Sequence, residues 1–203
     1  PIMDAYYAAF KIPDSIYNLL IVGALSTGFI PIFTSLYAAG DTKKTWRMAS
    51  TVLNIAGLSL IICSIAGIIL APFIARLVGP GFDTETLRLT TTFTRIIFIS
   101  PVLLGISMVL GGILQSLRHF LTYSIAPILY NIGIILGVTV LYPLFGITGI
   151  AWGVVLGAAL HTLTQWYGAH VAGFRWSMAF EIADASVRTI GKLMIPRTMG
   201  QIG

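Results

Sequence analysis

Asp4, Lys11 and Asn18 recur every seven residues in a stretch, residues 3–33, that is otherwise dominated by apolar side chains. On a helix, positions seven apart lie almost above one another, so the three form one stripe, with Tyr7 beside it. An acid, an ammonium and an amide on a single face could hold a charged headgroup or a coupling cation. The same residues also admit plainer roles: Asp4 at the outer interface, Lys11 snorkelling or paired with a neighbouring helix, Asn18 bonding across helices. Arg95 is a further candidate, since a guanidinium can grip a phosphate bidentately, although it is close enough to a span end to snorkel. Asn131 and the pair His161 and Gln165 are neutral, and interhelical hydrogen bonding is the expected role of each. A single histidine with no second ligand at metal spacing makes a poor metal site. No nucleophile stands beside a base, no glycine-rich phosphate loop is present and no carboxylates are paired at acid/base spacing. Neither catalysis nor a cofactor is expected.

The elements that carry these residues are membrane spans. The chain is 57% hydrophobic and only 9% charged, where a soluble domain carries roughly 25% charged residues, and its mean hydropathy is +0.92. The expected fold class is therefore an all-α, polytopic transmembrane bundle. A span needs roughly 20 apolar residues, and five runs meet that requirement, over about 3–38, 48–77, 84–117, 120–142 and 147–172. The first is too long for one straight crossing. Pro13 lacks a backbone donor and disfavours helix at Ile12, so a kink or break is expected there, with Asp14 or Ser15 capping the segment that follows. Gly79-Pro80-Gly81-Phe82-Asp83 reads as a turn with Asp83 as N-cap of the third span. Gly149, Gly153 and Gly157 form a small-residue face that favours close helix packing, as do Gly105, Gly111 and Gly112. Cys63, the only cysteine, lies in an apolar run and predicts a small packing residue.

Residues 1–175 are assigned to a partial N-terminal lobe. From Trp176 the apolar residues Phe180, Ala183, Val187, Ile190 and Met194 recur every three or four positions, which predicts an interfacial amphipathic helix and the start of a further span over 176–203. The net charge of +5 does not form a basic patch with interleaved aromatics, so no nucleic-acid partner is expected. Lys43, Lys44, Arg47, Arg118, Arg175, Arg188 and Lys192 fall on one side of the spans, and Arg76 and Arg88 on the other, offset by Asp83 and Glu85. The positive-inside rule makes the first side cytoplasmic, so the chain begins outside and ends inside. Both ends have the look of cut positions within a longer chain.

The run AFKIPDSIYNLLIVGALSTGFIPIF, then GPGF, TRIIFISPVLLGISMVLGGILQSLRHF, APILYNIGII, FGITGIAWGVVLGAALH and KLMIPRTMGQI resembles the MurJ/MviN family, lipid II flippases of the multidrug/oligosaccharidyl-lipid/polysaccharide exporter superfamily. The resemblance covers nearly the whole chain and places it in the first lobe, lacking the first helix and stopping at the start of the seventh. It implies a parent protein in the bacterial cytoplasmic membrane that moves undecaprenyl-diphosphate-linked disaccharide-peptide by alternating access between two lobes. The implied partners are that lipid-linked oligosaccharide, membrane lipids, a coupling cation and the remainder of the chain. Asp4 matches a functionally important acid of the family, and Lys11 sits in its Phe-Lys-Ile/Leu-Pro pattern. Where many members carry arginine four residues after that proline, this chain has Tyr17, followed by Asn18, and Val22 replaces the usual acid before Gly-Ala. The resemblance thus implies that this helix lacks the cationic phosphate grip. Two rival readings stay open: another exporter of the superfamily, whether a polysaccharide-lipid flippase or a cation-coupled drug antiporter, and a non-transporting membrane scaffold.

Overall fold

Backbone placed in hydrocarbon must satisfy its own hydrogen bonds, and a chain this apolar answers with helices. The computed structural model describes residues 2–19 and 28–200, with 193–200 by backbone alone. In chain order the helices are α1 (Ile2–Tyr17), α2 (Ile30–Ala38), α3 (Thr42–Val78), α4 (Thr84–Ile97), α5 (Ile99–Ser116), α6 (Phe120–Leu136), α7 (Tyr142–Phe145), α8 (Thr148–Val171) and α9 (Ala185–Gly200). A π-helical turn, Gly137–Leu141, joins α6 to α7. No strand occurs among the described residues. Among the described residues three helical runs are long and apolar enough to cross a membrane: Thr42–Val78, Thr84–Ser116 and Phe120–Phe145. The 24 residues of α8 reach about 36 Å, long enough by length to cross, with apolarity diluted by His161, Thr162 and Gln165. The expected first span has α1 and α2 as its two ends, while Val22 and Gly23 lie outside the described residues.

Each correction to the expected helix ends has a physical cause. Helix α1 runs through Pro13 to Tyr17 without a break. Pro13 is buried on the same face as Ala5 and Ala9, and breaking the helix would strand more backbone groups than the one donor the proline lacks. Neither Asp14 nor Ser15 begins a new helix; the Ser15 hydroxyl donates to the Lys11 carbonyl at 2.6 Å, inside α1. Helix α3 begins earlier than expected because the Asp41 carboxylate accepts from the Lys44 amide at 3.1 Å and caps it. The third span is split at Phe98. Pro101 has no N–H to give the Ile97 carbonyl, so the helical ladder lapses there. The fully buried Phe98 ring fills the notch left by Gly67 on α3.

Asp83 caps α4 as expected, accepting from the Thr86 amide at 2.7 Å. Hydrogen bonds from Thr86 hold its carboxyl below the ordinary range.

Helix α6 packs most extensively on α8, α5 on α8, and α1 on α4. The larger core cluster joins Phe29, Phe33, Met48 and Leu60 to Leu110, Ile113, Phe174 and Ile190. A smaller one packs Ala5 and Ala9 of α1 against Phe93 and Ile97 of α4.

The amphipathic helix expected from Trp176 is absent over its first turns. Residues 174–181 are not helical, and helix resumes only at Ala185. The reason lies on α3. The Asn54 amide donates to the carbonyls of Ser177 at 3.0 Å and Ala179 at 2.9 Å, and its oxygen accepts from the Trp176 indole at 2.9 Å. The Ser177 amide donates to the Ser50 hydroxyl at 3.1 Å, and the Glu181 amide to Thr51 at 3.3 Å. Backbone groups committed to α3 are not available for a helix, and the alternate residues Trp176, Met178, Phe180 and Ile182 are left exposed, the period of an extended segment. Replacing Asn54 by Leu removes three hydrogen bonds and leaves two carbonyls unsatisfied. A loss of about 2–3 kcal/mol is expected, with faster tryptic cleavage after Arg175. Wild-type thermal stability together with an unchanged cleavage rate would refute this role.

Asp184, rather than Trp176, opens the last helix. Its carboxylate accepts from the Ser186 amide at 2.7 Å and the Val187 amide at 3.4 Å, and lies 3.9 Å from the Lys44 ammonium. Partial burial works to raise its pKa, but the Ser186 and Val187 hydrogen bonds and Lys44 outweigh it and hold the carboxyl below its usual value of 3.8. A depressed folded pKa gives stability that is present above the ordinary carboxylate range and is lost as pH falls through the folded value. Asp184→Asn is therefore expected to lose less thermal stability than wild type between about pH 6 and about pH 3. Parallel acid-melting curves for the two proteins would rule this out.

Candidate functional site

Small residues on one face of α1 decide what its other face does. Ala5, Ala8, Ala9 and Pro13 are buried, and Tyr6 brings α1 edge-on to Phe93 of α4 with ring centroids 6.1 Å apart. Asp4, Tyr7, Lys11 and Asn18 consequently share the opposite face, and all four are exposed, Tyr7 by 63%. Because α1 is unbroken at Pro13, the stripe keeps one direction to the end of α1, and Asn18 follows in the π-helical residues directly after Tyr17. From Asp4 to Asn18 it extends about 21 Å at the helical rise, most of the roughly 30 Å hydrocarbon core.

Asp14 belongs to this face as well. It is exposed, three residues beyond Lys11 and four before Asn18, which completes a 4, 7, 11, 14, 18 pattern of three- and four-residue steps. That spacing was available in the sequence, and the expectation of a helix break at Pro13 concealed it. Asp14 interacts electrostatically with Tyr17 at the end of α1 and with Tyr130 on α6. Tyr130 in turn meets the His161 ring edge-on at 6.4 Å.

Arg95 does not join the stripe. Phe93 points at α1, and a residue two positions further along a helix projects about 200° around it. Arg95 is therefore exposed on the side of α4 away from α1.

The neutral polar residues divide. The His161 Nδ1 and the Ser107 hydroxyl lie 2.6 Å apart, which ties α8 to α5 as expected. The Gln165 side-chain oxygen is buried without a hydrogen-bond partner among the described residues and packs against Gly111. Asn131, contrary to expectation, bonds within its own helix: its amide donates to the Pro127 carbonyl at 2.9 Å. That carbonyl is the nearer acceptor, one turn back on an exposed face. The close packing expected of Gly149, Gly153 and Gly157 is present. The missed half of the contact is Gly133 of α6 and Gly137 at the start of the π-helical turn, four residues apart, whose backbones touch Gly157 and Gly153 directly.

Four of the basic residues expected on one side, Lys43, Lys44, Arg47 and Arg175, gather at one end of the bundle. Arg47 pairs with Glu181, Lys44 with Asp184, and Lys43, Arg47 and Arg175 line one cleft.

The family described as "Lipid II flippase MurJ" matches residues 1–202. A "Probable lipid II flippase MurJ" from Treponema pallidum (strain Nichols) is 29% identical over 208 residues, covering 97% of this chain and 39% of the relative. One from Vibrio cholerae is 29% identical over 213 residues, covering 97% and 40%. A "Lipid II flippase MurJ" from Burkholderia cenocepacia is 28% identical over 166 residues, covering 80% and 32%. The chain spans about two fifths of the length of the first of these relatives.

Proposed function

Since this chain belongs to the MurJ lipid II flippase family, we propose that it forms most of the first lobe of a transporter that carries undecaprenyl-diphosphate-linked muropeptide across the bacterial cytoplasmic membrane. The observation that carries this reading is the face of α1. Asp4, Lys11 and Asp14 are exposed on a helix whose other face is buried. A charged side chain at the middle of a helix facing lipid costs about 2.5–3.5 kcal/mol on insertion scales. Residues spread along most of the membrane depth could not all escape that cost by snorkelling. A water-filled cavity between two lobes removes the penalty, and alternating access supplies such a cavity.

In this reading Asp4, Tyr7, Lys11, Asp14 and Asn18 line the cavity, and Arg95 snorkels at the outer interface. The resemblance implies arginine at the position of Tyr17, so this helix lacks that cation and the gripping cations come from elsewhere in the full-length protein. A carboxylate-rich stripe also suits a coupling cation. The gathering of Lys43, Lys44, Arg47 and Arg175 at one end supports a cytoplasmic placement for that end, with α1 entered from outside. The protein acts as a transporter rather than an enzyme.

The test is rescue of bacterial cells depleted of their own lipid II flippase by the full-length protein that contains this chain. Restored growth and restored appearance of lipid II in the outer leaflet are expected. Failure to rescue despite normal membrane expression would overturn the assignment.

A further inference from the structure

The connection between α8 and α9 builds a cleft of about 440 Å³ at the basic end of the bundle. Lys43 and Arg47 reach it from the first turns of α3, and Arg175 from the connection, with the rings of Trp46 and Trp176 beside them. Glu181 neutralises Arg47. Among the described residues neither Lys43 nor Arg175 forms an ion pair. Arg175 is aimed by donating to the carbonyls of His170 and Phe174, both at 3.1 Å through one nitrogen, Nη1, which leaves the other edge of the guanidinium free. Beside the cations the extended segment presents Trp176, Met178, Phe180 and Ile182, which are 45, 81, 52 and 62% exposed.

We propose that this cleft binds the headgroup of an anionic phospholipid, with Lys43 and Arg175 on the phosphodiester and the Trp176 to Ile182 ribbon against the acyl chains. Two unneutralised cations favour a headgroup of net negative charge over a zwitterionic one, whose phosphodiester is offset by its own ammonium, and a guanidinium held by its own backbone can offer a bidentate edge. A soluble anion would satisfy the cations and leave the apolar ribbon in water. A lipid satisfies both, and tryptophans at headgroup level are the expected frame. Asn54 is what makes the site possible, because it holds the connection extended and turns alternate residues outward. The proposal rests on the reading of this chain as a multi-pass membrane protein; it is independent of which lipid-linked substrate is carried.

The full-length protein in detergent is titrated with short-chain phosphatidylglycerol and, separately, phosphatidylcholine. A preference for phosphatidylglycerol on the order of tenfold is expected from two interfacial cations. It should fall to within about twofold in K43Q/R175Q and persist in K43R/R175K. Equal preference in wild type and the glutamine variant overturns the proposal, and so does displacement of the lipid by inorganic phosphate at comparable concentration, which would mark a free-anion site. In vesicles carrying brominated acyl chains, the Trp176 contribution to fluorescence, taken as wild type minus W176F, should be quenched. An unquenched signal would mean that another part of the protein covers this face, and would also overturn it. Both measurements are indifferent to substrate, so their failure leaves the transport assay standing, and a negative rescue leaves them standing.

Discussion

Gly133→Leu is expected to abolish accumulation of the folded protein, and Gly133→Ala to destabilise it by roughly 1–3 kcal/mol. Any Cβ at position 133 meets the Gly157 backbone, and one at 157 meets the Tyr130 carbonyl. The obstacle on each side is main chain, so no side chain can swing aside and the helices must part. Parting them would loosen the most extensive packing in the bundle, that of α6 on α8. In a membrane, lipid offers helices no hydrophobic reason to stay together, so van der Waals contact carries much of the association. Size-exclusion profiles and thermal melts of the full-length variants measure the effect. A Gly133→Leu protein with wild-type elution and melting would show that α6 and α8 do not touch as described.

Asp4→Ala is expected to leave the protein folded and to eliminate rescue of flippase-depleted cells. Asp4 is exposed, on the face of α1 opposite its buried alanines, so truncation removes a carboxylate without opening a core cavity. Loss of rescue with normal expression and melting assigns Asp4 to transport. Full growth of the Asp4→Ala cells would make the stripe structural. Asp14→Asn offers a graded companion, because it keeps shape and hydrogen-bonding capacity while removing the charge that acts on Tyr17 and Tyr130.

Much of this could be read from the chain before its structure. Hydropathy located the long spans because a bilayer sets a length and penalises charge, and both constraints act residue by residue. The Asp4, Lys11 and Asn18 face was legible because helical periodicity is a local property. What escaped was non-local. Pro13 argues for a break when α1 is considered alone, and only its burial beside Ala5 and Ala9 shows why the helix continues. Trp176 to Val187 carries a helical period, yet a single asparagine more than a hundred positions earlier outcompetes it for the backbone carbonyls. Arg95 was a candidate for the same cavity as Asp4, and the direction of Phe93 separates them. Gly133 and Gly137 have the spacing of an interface motif, but spacing does not say which helix the motif faces.

Asn54 and the carbonyls it holds are 123 and 125 positions apart, and that separation has a consequence for biosynthesis. At roughly 5–20 residues per second, synthesis of the intervening chain takes about 6 to 25 s. During that interval α3 already exists while the partners of Asn54 do not. The clasp between α3 and the connection after α8 therefore cannot close until the chain has been made through Ala179. It ties α3 to the connection after α8, two parts of the bundle whose helices pack on α5 rather than on each other.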